Sequence, residues 1–365
     1  MDLRLAWTVK HLYPYVYDFE SLYNAYLRAR RCKRYRAEVL RFSARLEEEL
    51  ITLQNELIHH TFKPGRHREF WIHDPKTRLI MAPPFRDRVV HHALVAVIEP
   101  LFERKFITDS YACRVGKGTH AGADRVTEFL KLAQRQWKRV YCLKADVSQY
   151  FPSIHHGILK HLVRRTIACS STLWLIDTII DSTDDEGDPN PRGLPVGNLT
   201  SQLFANVYLN ELDQFVKHTL RMRYYVRYMD DFVILHHDKR LLWDTKREIE
   251  GFLEDKLSLK LNHKTGVFPI SQGIDFLGYR IWPTHRLLRK GSIKRARRGF
   301  KKLARDYAEA KIPLDRVKAS IMSWLGHCQH ANTYRIREKV LGELILVRTA
   351  KTGSEQGINE PKNEI

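Results

Sequence analysis

The sequence predicts an α+β fold in which helices are interleaved with antiparallel strand pairs. Three observations predict it. Two segments read as β-hairpins, residues 66–82 (RHREFWIHDPKTRLIMA) and 223–237 (RYYVRYMDDFVILHH). Between and around them, apolar residues recur every three to four positions, the period of a helix with one buried face. The order lacks the regular strand–helix alternation of a doubly wound sheet, and the chain has neither G-x-G-x-x-G nor G-x-x-x-x-G-K-S/T.

Taken in order, residues 18–60 are helical, with Leu22 and Tyr26 and then Leu46, Leu50, Leu53 and Leu57 on a three-to-four spacing. The first hairpin folds about Asp74-Pro75-Lys76-Thr77. A helix over 86–103 ends near Pro100, which lacks an amide hydrogen. The loop Gly116-Lys117-Gly118 opens a helix over 121–137 and is too short to cradle a phosphate. A strand covers 139–146, helices lie near 155–180, and 181–188 (DSTDDEGD) is an acidic loop. The turn-rich loop 193–197 (GLPVG) opens a helix over 199–219. Two strands then fold about Asp230-Asp231. A helix over 240–257 and two short strands within 265–282 complete this body. The remainder to 348 is helical and basic, and 350–365 is polar and expected to fray. There is no internal repeat.

Composition narrows the function. The chain has 365 residues, with 62 Lys and Arg against 42 Asp and Glu, a formal charge of +20. Hydrophobic residues are 43% of it, which excludes wholesale disorder. No apolar run reaches the length of a membrane span, and no secretory signal opens the sequence. Five scattered cysteines without a C-x-x-C pair argue against a disulfide framework or zinc finger and suit a reducing cytoplasm. The positive charge is concentrated. Six of the nine residues from Arg28 to Arg36 are basic, and residues 285–305 hold ten Lys or Arg and no acid. Such runs are either solvated helix faces or phosphate contacts. The missing counter-acids favour nucleic acid, and the thin apolar stripe disfavours a membrane surface.

The sharpest chemical feature is Tyr228-Met229-Asp230-Asp231. Two adjacent acids interrupt an apolar run where a hairpin ordinarily turns on Asn-Gly or Asp-Gly. Unless this is an exposed acidic turn, something cationic must offset their repulsion, and magnesium takes such hard oxygen ligands. Asp146 ends a second apolar strand and could converge on the same face. Three carboxylates suit two metal ions about 4 Å apart, the arrangement that activates a hydroxyl and holds a departing pyrophosphate. Lys76, Arg78 and Arg86 could hold a triphosphate, although each could equally be surface charge.

These residues resemble the bacterial reverse transcriptases over about 60–345. PKTRLIMAPPFRDRVVHHAL and YACRVGKGTHAG resemble fingers segments, LKADVSQYFPSI the palm motif with the first metal-binding aspartate, and GLPVGNLTSQLFANVYLNELD the loop and helix that meet template and nucleotide. YVRYMDDFVIL resembles the palm hairpin, and LKLNHKTGVF and GIDFLGYRI the two motifs after it. Within the family the chain is most similar to the enzymes of diversity-generating retroelements. Ser201-Gln202 stands where group II intron enzymes usually have Ser-Pro, and Val196 where many reverse transcriptases carry Gln.

The resemblance implies a right-hand polymerase: an N-terminal helical extension (1–60), interleaved fingers and palm (61–283), a basic helical thumb (284–348) and a disordered polar tail (349–365), with nothing after the thumb. It implies that Asp146, Asp230 and Asp231, with Val147 beside the first, hold two Mg2+ ions, or Mn2+. Phe151 would exclude a ribose 2′-hydroxyl from the nucleotide sugar. Lys76, Arg78, Arg86, Val196, Gly197 and Gln202 would line the nucleotide site, and Lys264 would protonate pyrophosphate. Gly278 and Tyr279 would lie in the primer grip, while Lys290, Lys294, Arg295, Arg297 and Arg298 would track the duplex.

The implied activity is RNA-directed DNA synthesis in the cytoplasm, turning a template-repeat RNA and dNTPs into adenine-mutated cDNA. The implied partner is a small basic accessory variability protein, a homopentamer. Another bacterial reverse transcriptase, of retron or abortive-infection type, is the alternative within the class. A nucleic-acid-binding relative without catalysis is the alternative outside it, against which the intact acids argue.

Overall fold

The computed structural model describes residues 9–73, 77–183 and 188–348. They form two compact units that divide between Gln272 and Gly273, where the sequence places a division after 283.

The first unit begins with four helices, α1 (Pro14–Tyr17), α2 (Phe19–Ala29), α3 (Ala37–Ser43) and α4 (Leu46–Ile58). Asp18 caps α2 by accepting a 3.1 Å hydrogen bond from the Ser21 amide, which supplies one of the donors a helix start leaves unpaired. Leu22, Ala25, Tyr26 and Ala29 of α2 and Leu50, Leu53 and Leu57 of α4 are buried, so the expected spacing marks the packed faces. The basic segment 30–36 is the loop between α2 and α3.

Strands β1 (Arg68–Ile72) and β2 (Arg78–Ala82) form the first hairpin, in register from Arg68↔Ala82 to Ile72↔Arg78. Its turn, including Lys76, lies outside the described residues. Helix α5 (Phe85–Glu103) follows, and Pro100 lies inside it rather than ending it. Buried Val95, Ile98 and Phe102 flank the proline, and their packing carries the helix past the missing hydrogen bond. Next come α6 (Thr119–Gln136), β3 (Tyr141–Asp146), α7 (Tyr150–Ser153), α8 (His156–Arg164) and α9 (Ser170–Ile180). Of the acidic loop after α9, residues 184–187 lie outside the described set.

Helix α10 (Leu199–Gln214) continues into a π-helical turn at Phe215–Thr219. Strands β4 (Tyr224–Tyr228) and β5 (Asp231–His236), helix α11 (Lys239–Leu257) and strand β6 (Gly266–Pro269) complete the unit. One antiparallel sheet has the order β4-β5-β3-β6. Buried Leu143, Ala145, Tyr225, Phe232 and Ile234 join its face to a core shared with α5, α8 and α10.

The two short strands expected within 265–282 are in fact three, in two sheets. The residues of β6 pair with β3, far back in the chain. Strands β7 (Ile274–Phe276) and β8 (Tyr279–Ile281) belong to the second unit and form a three-stranded antiparallel sheet with β9 (Arg286–Leu288). That unit continues with α12 (Lys290–Ala308), α13 (Leu314–Cys328) and α14 (Tyr334–Gly342). Phe300 and Trp324 meet edge-to-face at 5.4 Å between α12 and α13. Among the described residues no helix is long and apolar enough to cross a membrane.

Candidate active site

The β4–β5 turn is only two residues long, because Tyr228 pairs directly with Asp231. Tight hairpins need a positive φ that matches strand twist, a position glycine ordinarily fills. Here Met229 takes it, with φ 55°. The strain is offset from behind. The Arg227 guanidinium donates to the Met229 carbonyl at 2.9 Å and is gripped by both oxygens of Asp213, at 2.7 and 2.6 Å. Tyr225 also donates to Asp213, at 2.7 Å. Arg227 and Asp213 are wholly buried. A buried charge is tolerated only when paired and fully hydrogen-bonded, and this one is both.

The end of β3 meets that turn. Asp146 is the cross-strand partner of Asp231, and the Val147 amide donates to the Asp230 carbonyl at 3.1 Å. Directly opposed residues hold their Cβ atoms about 5 Å apart, so the three acids expected to converge do share one end of the sheet. The Asn262 amide and carboxamide donate to the backbone and side chain of Asp146, at 2.7 and 3.2 Å. A bridge between Val147 and Leu261 continues this clamp.

Electrostatics at this end of the sheet are unfavourable to Asp231. Asp231 is pushed up from the ordinary carboxylate value to about 6, first by burial and then by Asp146 and Asp230, against the pull of Lys144. Lys144 Nζ lies 3.4 Å from Asp231 Oδ1, but that oxygen is buried and makes no well-aligned hydrogen bond. Among the described residues no three His, Cys, Asp or Glu side chains are gathered into a ready metal cage. The donor set is nonetheless of the right chemistry. Carboxylate oxygens, one of them orphaned, crowded by like charge, suit a hard divalent cation.

The other expected residues are placed as follows. Tyr150 turns into the core and donates to the Ala205 carbonyl, leaving Phe151 half-buried beside it. Val196 is half-buried, and Gly197 is exposed with φ 110°, where an added Cβ would lie 3.4 Å from Ile80 of β2. Gln202 sits partly exposed in the first turns of α10. Arg78 is exposed at the start of β2, whereas Arg86 is engaged by Glu56 and lies over the Phe62 ring. Lys264 is exposed, two residues beyond the Asn262 that holds Asp146, and its amide donates to the Asn262 side chain at 3.1 Å.

In the second unit, Gly278 takes φ 89° at the β7–β8 turn. Tyr279 is wholly buried and stacked on His327, so its ring packs the interior of this unit. Lys290, Lys294, Arg295 and Arg298 are exposed along α12, and Arg297 reaches Glu343 at 3.3 Å.

Four residues escaped the sequence reading: Lys144, Asp213, Arg227 and Asn262. The signal for two of them was present. A lone arginine inside the apolar strand YYVRYM requires a buried acid, and Lys144 interrupts YCLKAD in the same way.

Comparison with known proteins agrees with this geometry. The family described as "Reverse transcriptase (RNA-dependent DNA polymerase)" matches residues 68–281, more than half of the chain. The chain belongs to that family, and its mixed architecture is the right-hand polymerase fold of an RNA-directed DNA polymerase. The family binds RNA templates and nucleotides and uses divalent metal ions.

Protein YkfC of Escherichia coli (strain K12) is 31% identical over 291 residues, covering 68% of this chain and 74% of that one. The group II intron-encoded protein LtrA of Lactococcus lactis subsp. cremoris is 24% identical over 347 residues, and the match spans 75% of this chain and 56% of LtrA. A solved structure of telomerase from Candida albicans with a fragment of telomeric RNA aligns at TM-score 0.47 and 12% identity, covering 78% of this chain and 56% of that one.

Proposed function

We propose that this chain is the polymerase of a diversity-generating retroelement, copying a template-repeat RNA into adenine-mutated cDNA with two Mg2+ ions. The observation that carries the subtype is Val196, half-buried beside the glycine that packs on β2. A valine there cannot make the polar contact that a Gln would offer near the nascent pair. Losing one positioning hydrogen bond relaxes discrimination by about 1 kcal/mol, or roughly fivefold. Gln202 following Ser201 supports the same subtype, since group II intron enzymes usually carry proline there. The similarity to YkfC and LtrA favours, as the second reading, a bacterial reverse transcriptase of another type.

In this reading Asp146, Asp230 and Asp231 hold the ions, which when bound activate the primer hydroxyl and neutralise the departing pyrophosphate. Asn262 and Lys144 position two of the three acids. Arg78 and Lys76 hold the triphosphate, Phe151 sits beneath the sugar, and Lys264 gives a proton to pyrophosphate. The basic face of α12 follows the duplex backbone. The accessory variability protein, as a homopentamer, and the element's structured RNA would complete the working complex.

Extension of oligo-dT on poly-rA with Mg2+ tests the enzyme class, and no incorporation would overturn it. Sequencing cDNA made with the element's RNA and accessory protein tests the subtype. Errors concentrated opposite template adenine are expected, and errors spread evenly over the four bases would sink it. Val196→Gln should lower misincorporation opposite adenine by about fivefold in a steady-state assay. An unchanged error rate would remove Val196 from the account.

A further inference from the structure

Lys144 sits among the acids, and its place follows from the strand. Side chains alternate along β3, so Leu143 and Ala145 enter the core while Lys144 and Asp146 share the opposite face. Asp231 is directly across from Asp146, which makes Lys144 its diagonal neighbour. The ammonium comes to 3.4 Å from Asp231 Oδ1, the buried oxygen that makes no well-aligned hydrogen bond. Among the described residues Asp231 is the one acid within ion-pair distance of Lys144. On its other flank β3 pairs with β6, where Gly266 stands opposite the lysine and an added Cβ would meet nothing within 4 Å. The residue facing it on β6 thus contributes no side chain, and the flexible lysine stem has room to move aside.

A lysine ammonium is a compact point charge that donates and never accepts. Beside Asp231 it offsets like charge among three crowded carboxylates, the task a divalent ion would also perform. Two cations cannot both hold that carboxylate at full strength. A single charge a few ångströms from a divalent ion is worth about tenfold in affinity even at the dielectric of water. We propose that Lys144 is a resident counter-ion. It holds the acidic end of the sheet together in the metal-free protein and competes with the divalent ion for Asp231, so it sets the ion concentration the enzyme requires. This deepens the reading of these acids as the ion-binding group and rests on it.

Mn2+ binding to the full chain, followed by electron paramagnetic resonance without nucleic acid or nucleotide, tests the inference apart from catalysis. Lys144→Met keeps most of the apolar stem and removes the charge. It should bind Mn2+ about tenfold more tightly than the wild type. Lys144→Arg keeps the charge and should stay near the wild type. Melting at pH 7.5 supplies a second readout. In EDTA the methionine variant should melt below the wild type, because its acids have lost their counter-charge, and saturating Mg2+ should close the gap. The Mg2+ concentration for half-maximal primer extension should fall in parallel with the Mn2+ dissociation constant. Lys144→Gln, which keeps a donor without a charge, is the substitute where the methionine variant does not fold, and the same tightening is expected of it.

Equal or weaker Mn2+ binding in the uncharged variants overturns the proposal, and so does an arginine variant that binds as tightly as the methionine one. A melting gap that saturating Mg2+ leaves unchanged would make Lys144 a packing residue and overturn it as well. Mn2+ binding that survives Asp146→Asn and Asp230→Asn undiminished would place the ion elsewhere and remove the reading on which the proposal rests. Variants that show these shifts beside a wild type that extends no primer would overturn the polymerase reading and leave this one standing.

Discussion

Asp230→Asn will lower primer extension about 10^3-fold while the protein remains folded, and Asp146→Asn will do the same. Asp231, at this end of the sheet, works against the fold. Asp231 is raised to about 6, first by burial and then by its two acidic neighbours. The folded protein therefore binds this proton more tightly than the unfolded chain, whose Asp titrates near 4. Below about pH 4 the residue is neutral in both states and costs nothing. Between about pH 4 and pH 6 the unfolded chain sheds this proton while the folded protein keeps it, so stability falls by about 3 kcal/mol and levels off above 6, where the folded state carries the charge. In EDTA, Asp231→Asn should therefore raise the melting temperature at pH 7.5 and leave it unchanged at pH 4. Added Mg2+ should stabilise the wild type at pH 7.5 and the Asn variants far less. A wild-type melting temperature indifferent to Mg2+, or an Asp231→Asn variant no more stable than wild type at pH 7.5, would break the link between these acids and a cation. Stability lost where chemistry is done is a common trade in enzymes.

How much of this was legible beforehand follows from the range of the interactions. The 224–236 hairpin was readable, because apolar residues run continuously on either side of two adjacent charges, but its turn is Met229-Asp230 rather than Asp230-Asp231, so Asp231 opens β5. The α2 and α4 faces were readable from a period of three to four. Pro100 misled the reading because a proline's local preference gave way to the packing of Val95, Ile98 and Phe102 around it. The strands of 265–282 misled it for another reason. The residues of β6 look like half of a local hairpin, but the strand pairs with Leu143 and its neighbours more than a hundred positions away. No local pattern encodes that choice.

The second large effect is expected behind the turn rather than in front of it. Arg227→Met should destabilise the protein by about 3–5 kcal/mol, since it strands the buried Asp213 without a partner. Asp213→Leu should do likewise, stranding the arginine. The double variant removes both charges and should recover much of the loss, because buried ion pairs are often replaceable by apolar residues of similar volume. The recovery will be incomplete, as Tyr225 keeps a buried hydroxyl that donates to Asp213 in the wild type. Activity should behave differently. The guanidinium also holds the Met229 carbonyl, and with it a non-glycine residue at φ 55° one position before Asp230. Neither methionine nor leucine can donate to that carbonyl. The double variant should therefore melt near the wild type yet show a lower kcat, an unchanged KM for dNTP and a higher Mg2+ requirement. A purely structural pair would restore kcat along with melting temperature, and that outcome would reduce Arg227 to a packing residue. The split is expected because the two jobs fall on different atoms. The charge of Arg227 is balanced by Asp213, whereas the turn is held through the hydrogen bond donated to Met229.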